Sequence, residues 1–283
     1  MDPKPVKLSV ADHRRDSAGL TYIYPVISRR AGGVSVGINL NINNACNWAC
    51  AYCQVPNLTR GGPPPIDLDL LERELEGFLV DATRGDFMAR AVPPEARRLM
   101  DVAFSGNGEP TSAAEFLDAV ARVGAVLERL GLKGRLMVRL ITNGSLLHRP
   151  AVQAGIAALG QLGGEVWFKL DRGTRADVER VNGVALAPEK AVTDLRRCCA
   201  LAPTWVQSCF FARDGKAPEE AEVSAYLEQL KAVRGEIRGV HLYGLARPTL
   251  QPGGEHLSRL PEETLRALGK RIADLGLRVE INP

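Results

Sequence analysis

Between residues 34 and 42 the chain reads VSVGINLNI, apolar at Val34, Val36, Ile38, Leu40 and Ile42 and small or polar at Ser35, Gly37, Asn39 and Asn41. That period of two predicts a strand with one apolar face and one face of Ser, Gly and Asn. Further on, Leu68, Leu71, Leu75, Phe78 and Ala82 recur at helical spacing. Strand-like segments then fall at 99–104, 135–141, 165–170, 204–211, 239–246 and 277–281. Helical patterns separate them at 112–130, 150–160, 188–201, 218–233 and 261–275. Ser112 and Glu115 have capping-box spacing for the first of these, and Pro150 opens the second.

Six βα units and a terminal strand predict the α/β class, with a parallel sheet and outer helices. No doubly wound nucleotide fingerprint interrupts the pattern. The expected architecture is therefore a partial (β/α)6 TIM-like barrel, its first strand turning Ser35, Gly37, Asn39 and Asn41 toward an inner cavity. Residues 1–33 read as a polar N-terminal arm and 34–283 as one barrel domain.

Composition narrows the function more than the fold. A 283-residue chain that is 45% hydrophobic can bury a sizeable core. Lys and Arg number 36 against 33 Asp and Glu, a net charge of +3, with no basic stripe to suit a nucleic acid. No apolar run approaches the roughly 20 residues needed to span a bilayer, and no signal core precedes the barrel, so a cytoplasmic location is expected. In that reducing compartment six cysteines read as thiols or metal ligands.

Barrel chemistry gathers where strands end. The first strand runs into NNACNWACAYCQVPN, with Cys46, Cys50 and Cys53 spaced CxxxCxxC. Later strands end in GNGEPT (106–111), TNG (142–144), KLD (169–171), VQSCFF (206–211) and GLARP (244–248). Three thiolates suit an iron–sulfur cubane, which they leave with one open iron, as three protein ligands leave a catalytic zinc open. A zinc site completed from elsewhere, or three unligated thiols, are the other readings of the triad alone.

With Tyr52 just before the third cysteine, this loop resembles the signature of the radical S-adenosylmethionine (SAM) enzymes, and the likeness runs from about residue 34 to 283. GNGEPT is similar to that superfamily's GGEP motif, with Asn107, Gly108, Glu109 and Pro110 in its four positions and Gly106 before them. The first motif glycine is Asn here. TNGSLL and KLD hold the third- and fourth-strand places, in a manner similar to the wybutosine-forming tRNA enzymes.

The resemblance implies one 4Fe-4S cluster on Cys46, Cys50 and Cys53, with the amino and carboxylate groups of SAM on the fourth iron. It implies that backbone at Gly106, Asn107, Gly108 and Glu109 receives the SAM ammonium and that Tyr52 packs by the adenine. Thr142, Asn143, Lys169 and Asp171 would reach ribose or carboxylate. The implied activity is reductive cleavage of SAM to a carbon radical that acts on a small molecule or peptide. A flavodoxin- or ferredoxin-like protein would supply the electron. The alternatives are tRNA-base modification, disfavoured by the near-neutral charge, and aminocarboxypropyl transfer to a thiophilic acceptor such as arsenite. Outside enzymes, the triad would suit an iron–sulfur electron carrier or a zinc-binding module.

Three further cysteines stand apart. Helical phasing places Cys199 with Val192 and Leu195, as a buried small hydrophobe, and Cys209 alternates with Gln207 and Phe211 on its strand. Cys198, Cys199 and Cys209 are either ordinary buried thiols or a second thiolate site. Arg247, just beyond the sixth strand, is a candidate contact for an anionic group, or a surface cation.

Overall fold

The computed structural model describes residues 7–9, 18–28 and 30–283. Eight strands make the main sheet: β1 Ile23–Ser28, β2 Gly33–Ile38, β3 Leu99–Phe104, β4 Met137–Thr142, β5 Glu165–Lys169, β6 Thr204–Cys209, β7 Val240–Tyr243 and β8 Val279–Asn282. They lie side by side in chain order. From β2 to β8 every pairing is parallel, and β1 is antiparallel to β2 at one edge. Seven long helices follow the strands: α1 Leu68–Arg84, α2 Phe116–Arg129, α3 Pro150–Gln161, α4 Arg175–Asn182, α5 Pro188–Leu201, α6 Glu220–Val233 and α7 Glu262–Ala273. The sheet curls into the expected partial barrel, tightly enough for Arg30, in the β1–β2 turn, to reach side chains of β5, β6 and β7.

Alternation within each strand sorts residues between two environments. Val166 and Phe168 of β5 and Val206 of β6 join the core beneath the helices. Trp167, Lys169, Gln207 and Cys209, between them, line the interior. The helices answer with matching stripes. Helix α1 buries Leu71, Leu75, Phe78, Leu79 and Ala82, starts where Asp67 accepts the Leu70 N–H (2.9 Å), and stops at Gly85. Each fully buried Leu or Phe contributes about 1.5–3 kcal/mol, so packing under the helix layer carries most of the stability, while the inner face sets polar groups among Val26, Ala103, Ile141 and Trp167.

Three expectations are corrected. Residues 23–28 of the expected arm form an edge strand. Pro25 lies within it, and an edge tolerates the missing N–H. Gly37 opposite Tyr24 makes the fit, since a Cβ at Gly37 would lie 2.1 Å from the tyrosine ring. The capping box at Ser112 and Glu115 does not form: Ser112 ends a short 3-10 turn and donates to the Glu109 carbonyl, and α2 begins later, at Phe116. Helix α4 went unread, although Thr174 caps Asp177 N–H and Gly183 closes it at φ 68°.

Candidate functional site

The cysteine loop leaves β2 through asparagines. Asn39 Oδ1 accepts from the N–H groups of Asn41 (3.2 Å) and Asn107 (3.0 Å), and Asn41 Nδ2 donates to the Ala45 carbonyl (2.9 Å). Asn44 turns the chain at φ 57°, a conformation asparagine tolerates. Ala49 and Ala51 then donate backbone N–H bonds to Asn182 and Val181 at the end of α4. From the other side, the single Thr249 hydroxyl hydrogen is shared between the carbonyls of Ala51 and Cys53 (2.8 Å each), and Gln251 Nε2 donates to those of Cys53 and Val55. Loops after β2, β5 and β7 thus grip one another at the strand ends.

This grip sets Cys46, Cys50 and Cys53 together on the lining of a cavity of about 310 Å³. Cys50 is buried and the other two are half-buried. Trp48 N–H points at Cys46 Sγ (3.5 Å) and Asn182 Nδ2 at Cys50 Sγ (3.3 Å). Such N–H···S bonds also tune iron–sulfur sites. Burial pushes the Cys46 thiol up to about 11 and raises Cys50 as well; a metal takes the thiolates and displaces these protons. Among the described residues no three His, Cys, Asp or Glu side chains gather closely enough for a single ion. A cubane needs no such convergence, since it takes one thiolate per iron. The donor set fits a cluster.

The GNGEPT loop packs directly on the cysteine loop. Gly106 stands at φ 133°, and a Cβ there would lie 2.4 Å from Asn39 Oδ1. A Cβ on Gly108 would lie 2.1 Å from the Ala45 carbonyl oxygen. The glycines are therefore demanded first by loop-on-loop packing. Asn107, also on the lining, donates to Asn44 Oδ1 (2.7 Å). Glu109 turns inward at 2% exposure: Oε1 accepts from Thr111 N–H and from the Thr111 and Thr142 hydroxyls, and Oε2 from Asn143 N–H (2.7 Å). Burial raises its pKa while these donors pull the other way. Its carboxylate staples the loop after β3 to the end of β4.

Thr142 and Asn143 are brought to the same mouth. Asn143 Nδ2 donates to Asn47 Oδ1 (2.9 Å), and Asn47 Nδ2 to Ser145 Oγ (2.8 Å), which ties the cysteine loop to the β4 end. Lys169 and Asp171 share a face, as their spacing required, and Tyr52 bridges them. Lys169 Nζ donates to the Tyr52 oxygen (3.0 Å), and the Tyr52 hydroxyl donates to Asp171, which also accepts from Asn182 Nδ2 (2.7 Å) and Cys209 N–H (2.8 Å). Burial works against the Lys169 ammonium, but Cys50, Tyr243, Asp171 and Cys53 around it hold its pKa above the ordinary lysine value. Tyr52 and Lys169 line the cavity, and Asp171 stands behind them.

The second thiolate site is not assembled. Cys198, not Cys199, is the fully buried member of its helix, and it accepts a bond from Thr204, the first residue of β6. Cys209 is the last residue of that strand, roughly 16 Å further along at the usual rise, and lines the main cavity. Arg247 lines it too, its guanidinium clasped on Gln54 Oε1 (2.6 and 2.9 Å) beside Cys53. Asn39, Asn41, Asn47, Asn182 and Gln54 had gone unread as site residues. The one local signal is the density of asparagine at 39–47, a residue type that bonds nearby backbone, and it covers Asn39, Asn41 and Asn47 but neither Gln54 nor Asn182.

No protein-family model matches the chain. Among curated proteins, the GTPase Obg of Brachyspira hyodysenteriae is 24% identical over 135 residues, 47% of this chain but 17% of that protein. No G-x-x-x-x-G-K-[S/T] phosphate loop occurs here. Solved structures give broader matches. A radical SAM methyltransferase from Sphaerobacter thermophilus superposes with a TM-score of 0.62 at 14% identity, over 92% of this chain and 68% of that one. TYW1, solved with a lysine-pyruvate adduct bound, gives 0.57 at 13% over 86% and 74%. Streptococcus suis SuiB, solved bound to S-adenosylmethionine, gives 0.55 at 11%, over 89% of this chain. The chain spans about half of SuiB (47%). The fold is thus the partial barrel found in radical SAM enzymes.

Proposed function

We propose that this chain is a radical SAM enzyme: Cys46, Cys50 and Cys53 hold a 4Fe-4S cluster at the barrel mouth, and SAM and a small substrate share the cavity below. The observation that carries this reading is the placement of three thiols of one loop together on the lining of a cavity at the strand ends of this fold, with Cys209, a fourth thiol on that lining, contributed separately by the end of β6. The chemistry such a cluster supplies is one-electron reduction of the SAM sulfonium with cleavage of a C–S bond.

The chain's own part is to position and enclose. Asn182 and Trp48 donate to two of the ligand sulfurs, while Thr249 and Gln251 fix the carbonyl of the third cysteine. Backbone at Gly106, Asn107 and Gly108 faces the cavity where the SAM ammonium is expected, and Glu109 supports that loop from behind through Thr142 and Asn143. Lys169 and Tyr52 offer a cation and a ring edge for the carboxylate and adenine, with Asp171 orienting the phenol. The cavity has the size of a small-molecule site, which supports a small-molecule or peptide substrate. A flavodoxin- or ferredoxin-like donor would supply electrons in the cytoplasm.

Protein reconstituted with iron and sulfide without oxygen, then given SAM and dithionite, should form 5′-deoxyadenosine. Methylthioadenosine in its place would redirect the reading to aminocarboxypropyl transfer. Absence of both, with zinc rather than iron in protein made anaerobically, would refute it.

A further inference from the structure

Below the strand ends the cavity closes on a floor that none of the cysteine, GNGEPT, TNG or KLD motifs supplies. Arg30 crosses the inside of the barrel to reach it. Its guanidinium lies 5.1 Å from the ring centroid of Trp167 and 4.7 Å from that of Tyr243, and Nη1 donates to Gln207 Oε1 (2.6 Å). Among the described residues no Asp or Glu pairs with Arg30. The neighbouring cations have other assignments: Arg139 pairs with Asp101 and Glu165, and Lys169, bonded to Tyr52, is the cation assigned above to SAM.

Gln207 is 1% exposed. Its Oε1 must face the guanidinium, because the flipped amide would set donor against donor. Nε2, on the same carboxamide, then has no hydrogen-bond partner although the residue lines the cavity. His241, the cross-strand neighbour of Gln207, sits off the lining between Trp167 and Trp205 and takes no bond from it. A buried donor is costly to leave unmet, so an orphan amide beside a charge without a carboxylate is the signature of a site awaiting an acceptor.

We propose that Arg30 and Gln207 form a carboxylate subsite for the substrate, an assignment that rests on the cavity being the chamber where SAM and substrate meet. The rings of Trp167 and Tyr243 lie against the guanidinium, so what it presents to a ligand is its edge. That edge, next to the amide Nε2 of the side chain it already holds, matches the two coplanar oxygens of a carboxylate. A phosphate dianion would call for more than one uncommitted cation in so enclosed a place. The substrate then lies with its carboxylate on the floor and the rest of its body rising toward the cysteines.

The test is calorimetric titration of anaerobically reconstituted protein with three probes: propionate, its neutral isostere propionamide, and inorganic phosphate. Propionate should saturate, binding about tenfold or more tightly than either other probe. Arg30→Met and Gln207→Glu should each weaken it by about tenfold or more; the second keeps the shape but sets a carboxylate against the incoming one. Unchanged melting temperatures verify that both variants fold. Propionate no better than propionamide, phosphate tighter than propionate, or variants that bind like the parent would each overturn the subsite. Assaying 5′-deoxyadenosine on the same batch separates the two claims. Protein that cleaves SAM yet ignores propionate defeats the subsite alone, and protein that binds propionate without cleaving SAM defeats the radical SAM reading alone.

Discussion

Replacing Gly108 by Ala puts one methyl group where the two loops at the cavity mouth meet. Its carbon would lie 2.1 Å from the Ala45 carbonyl oxygen and 2.6 Å from the Asn41 carboxamide. A carbon and an oxygen rest at roughly 3.3 Å or more, so the loops must part by roughly 1.2 Å. Nothing there yields cheaply, because the Ala45 oxygen belongs to the backbone and is held by Asn41. The shift is passed to the adjacent Cys46. Overpacking of this kind costs about 1–3 kcal/mol, and a ligand moved by about 1 Å can lose its geometry altogether. Gly108→Ala should therefore melt several degrees lower and retain well under half of the parent's iron and sulfide after reconstitution. Gly77→Ala is the matched control: it lies inside α1 with nothing within 4 Å of the added carbon, so it should gain up to about 1 kcal/mol with iron unchanged. Should Gly108→Ala load iron and melt as the parent does, the contact between these loops does not position Cys46, and the reasoning fails.

Glu109→Ala takes one acceptor away from four donors, two of them buried backbone N–H groups, and should cost roughly 3 kcal/mol or more in urea unfolding; a loss under about 1 kcal/mol would contradict the staple. Burial between Trp167 and Trp205, with Arg30, Arg139 and Arg278 nearby, pushes His241 down to about 3, and Glu280 at 3.5 Å is itself held by Arg278. The folded chain keeps this histidine neutral while the unfolded chain protonates it below pH 6.5, so its stability contribution is complete above 6.5 and is lost as the pH falls toward 3. By pH 5 the loss is about 2 kcal/mol. His241→Phe should remove that slope, and parallel parent and variant curves between pH 7.5 and 5 would refute it. Cys50→Ala should abolish cluster loading, whereas Cys198→Ala, in α5 beside the first residue of β6, should keep about four irons per chain; iron lost in the second variant would revive the second thiolate site.

What could be read from sequence was what repeats locally. The alternation from Val34 through Ile38 did place Val34, Val36 and Ile38 in the core and Ser35 on the cavity. The same alternation overran the strand by four residues, because the Asn39 side chain captures two backbone donors and turns the chain, leaving Ile42 exposed. Three cysteines in eight positions marked a candidate site by themselves. Asn182 announced nothing: its role comes from a helix whose end meets Cys50 across 132 residues. The Cys198–Cys199 pair left a second thiolate site open for the same reason, since closeness in sequence could not show that its thiols stand at the opposite end of β6 from Cys209.

Those sequence distances also set a schedule. The cysteine loop leaves the ribosome early, yet the groups that seat it come much later: Tyr52 waits for Asp171 across 119 residues, Gln54 for Arg247 across 193, and Cys53 for Thr249 across 196. At ~5–20 residues per second, the interval between the third thiol and its brace is roughly 10–40 s. Throughout that time the three sulfurs hang on a segment with no socket, open to oxidation or to a stray ion. Loading of the proposed cluster would therefore be an event of the finished barrel. Expression under slow, anaerobic, iron-replete growth should raise cofactor content more than any change to the loop itself.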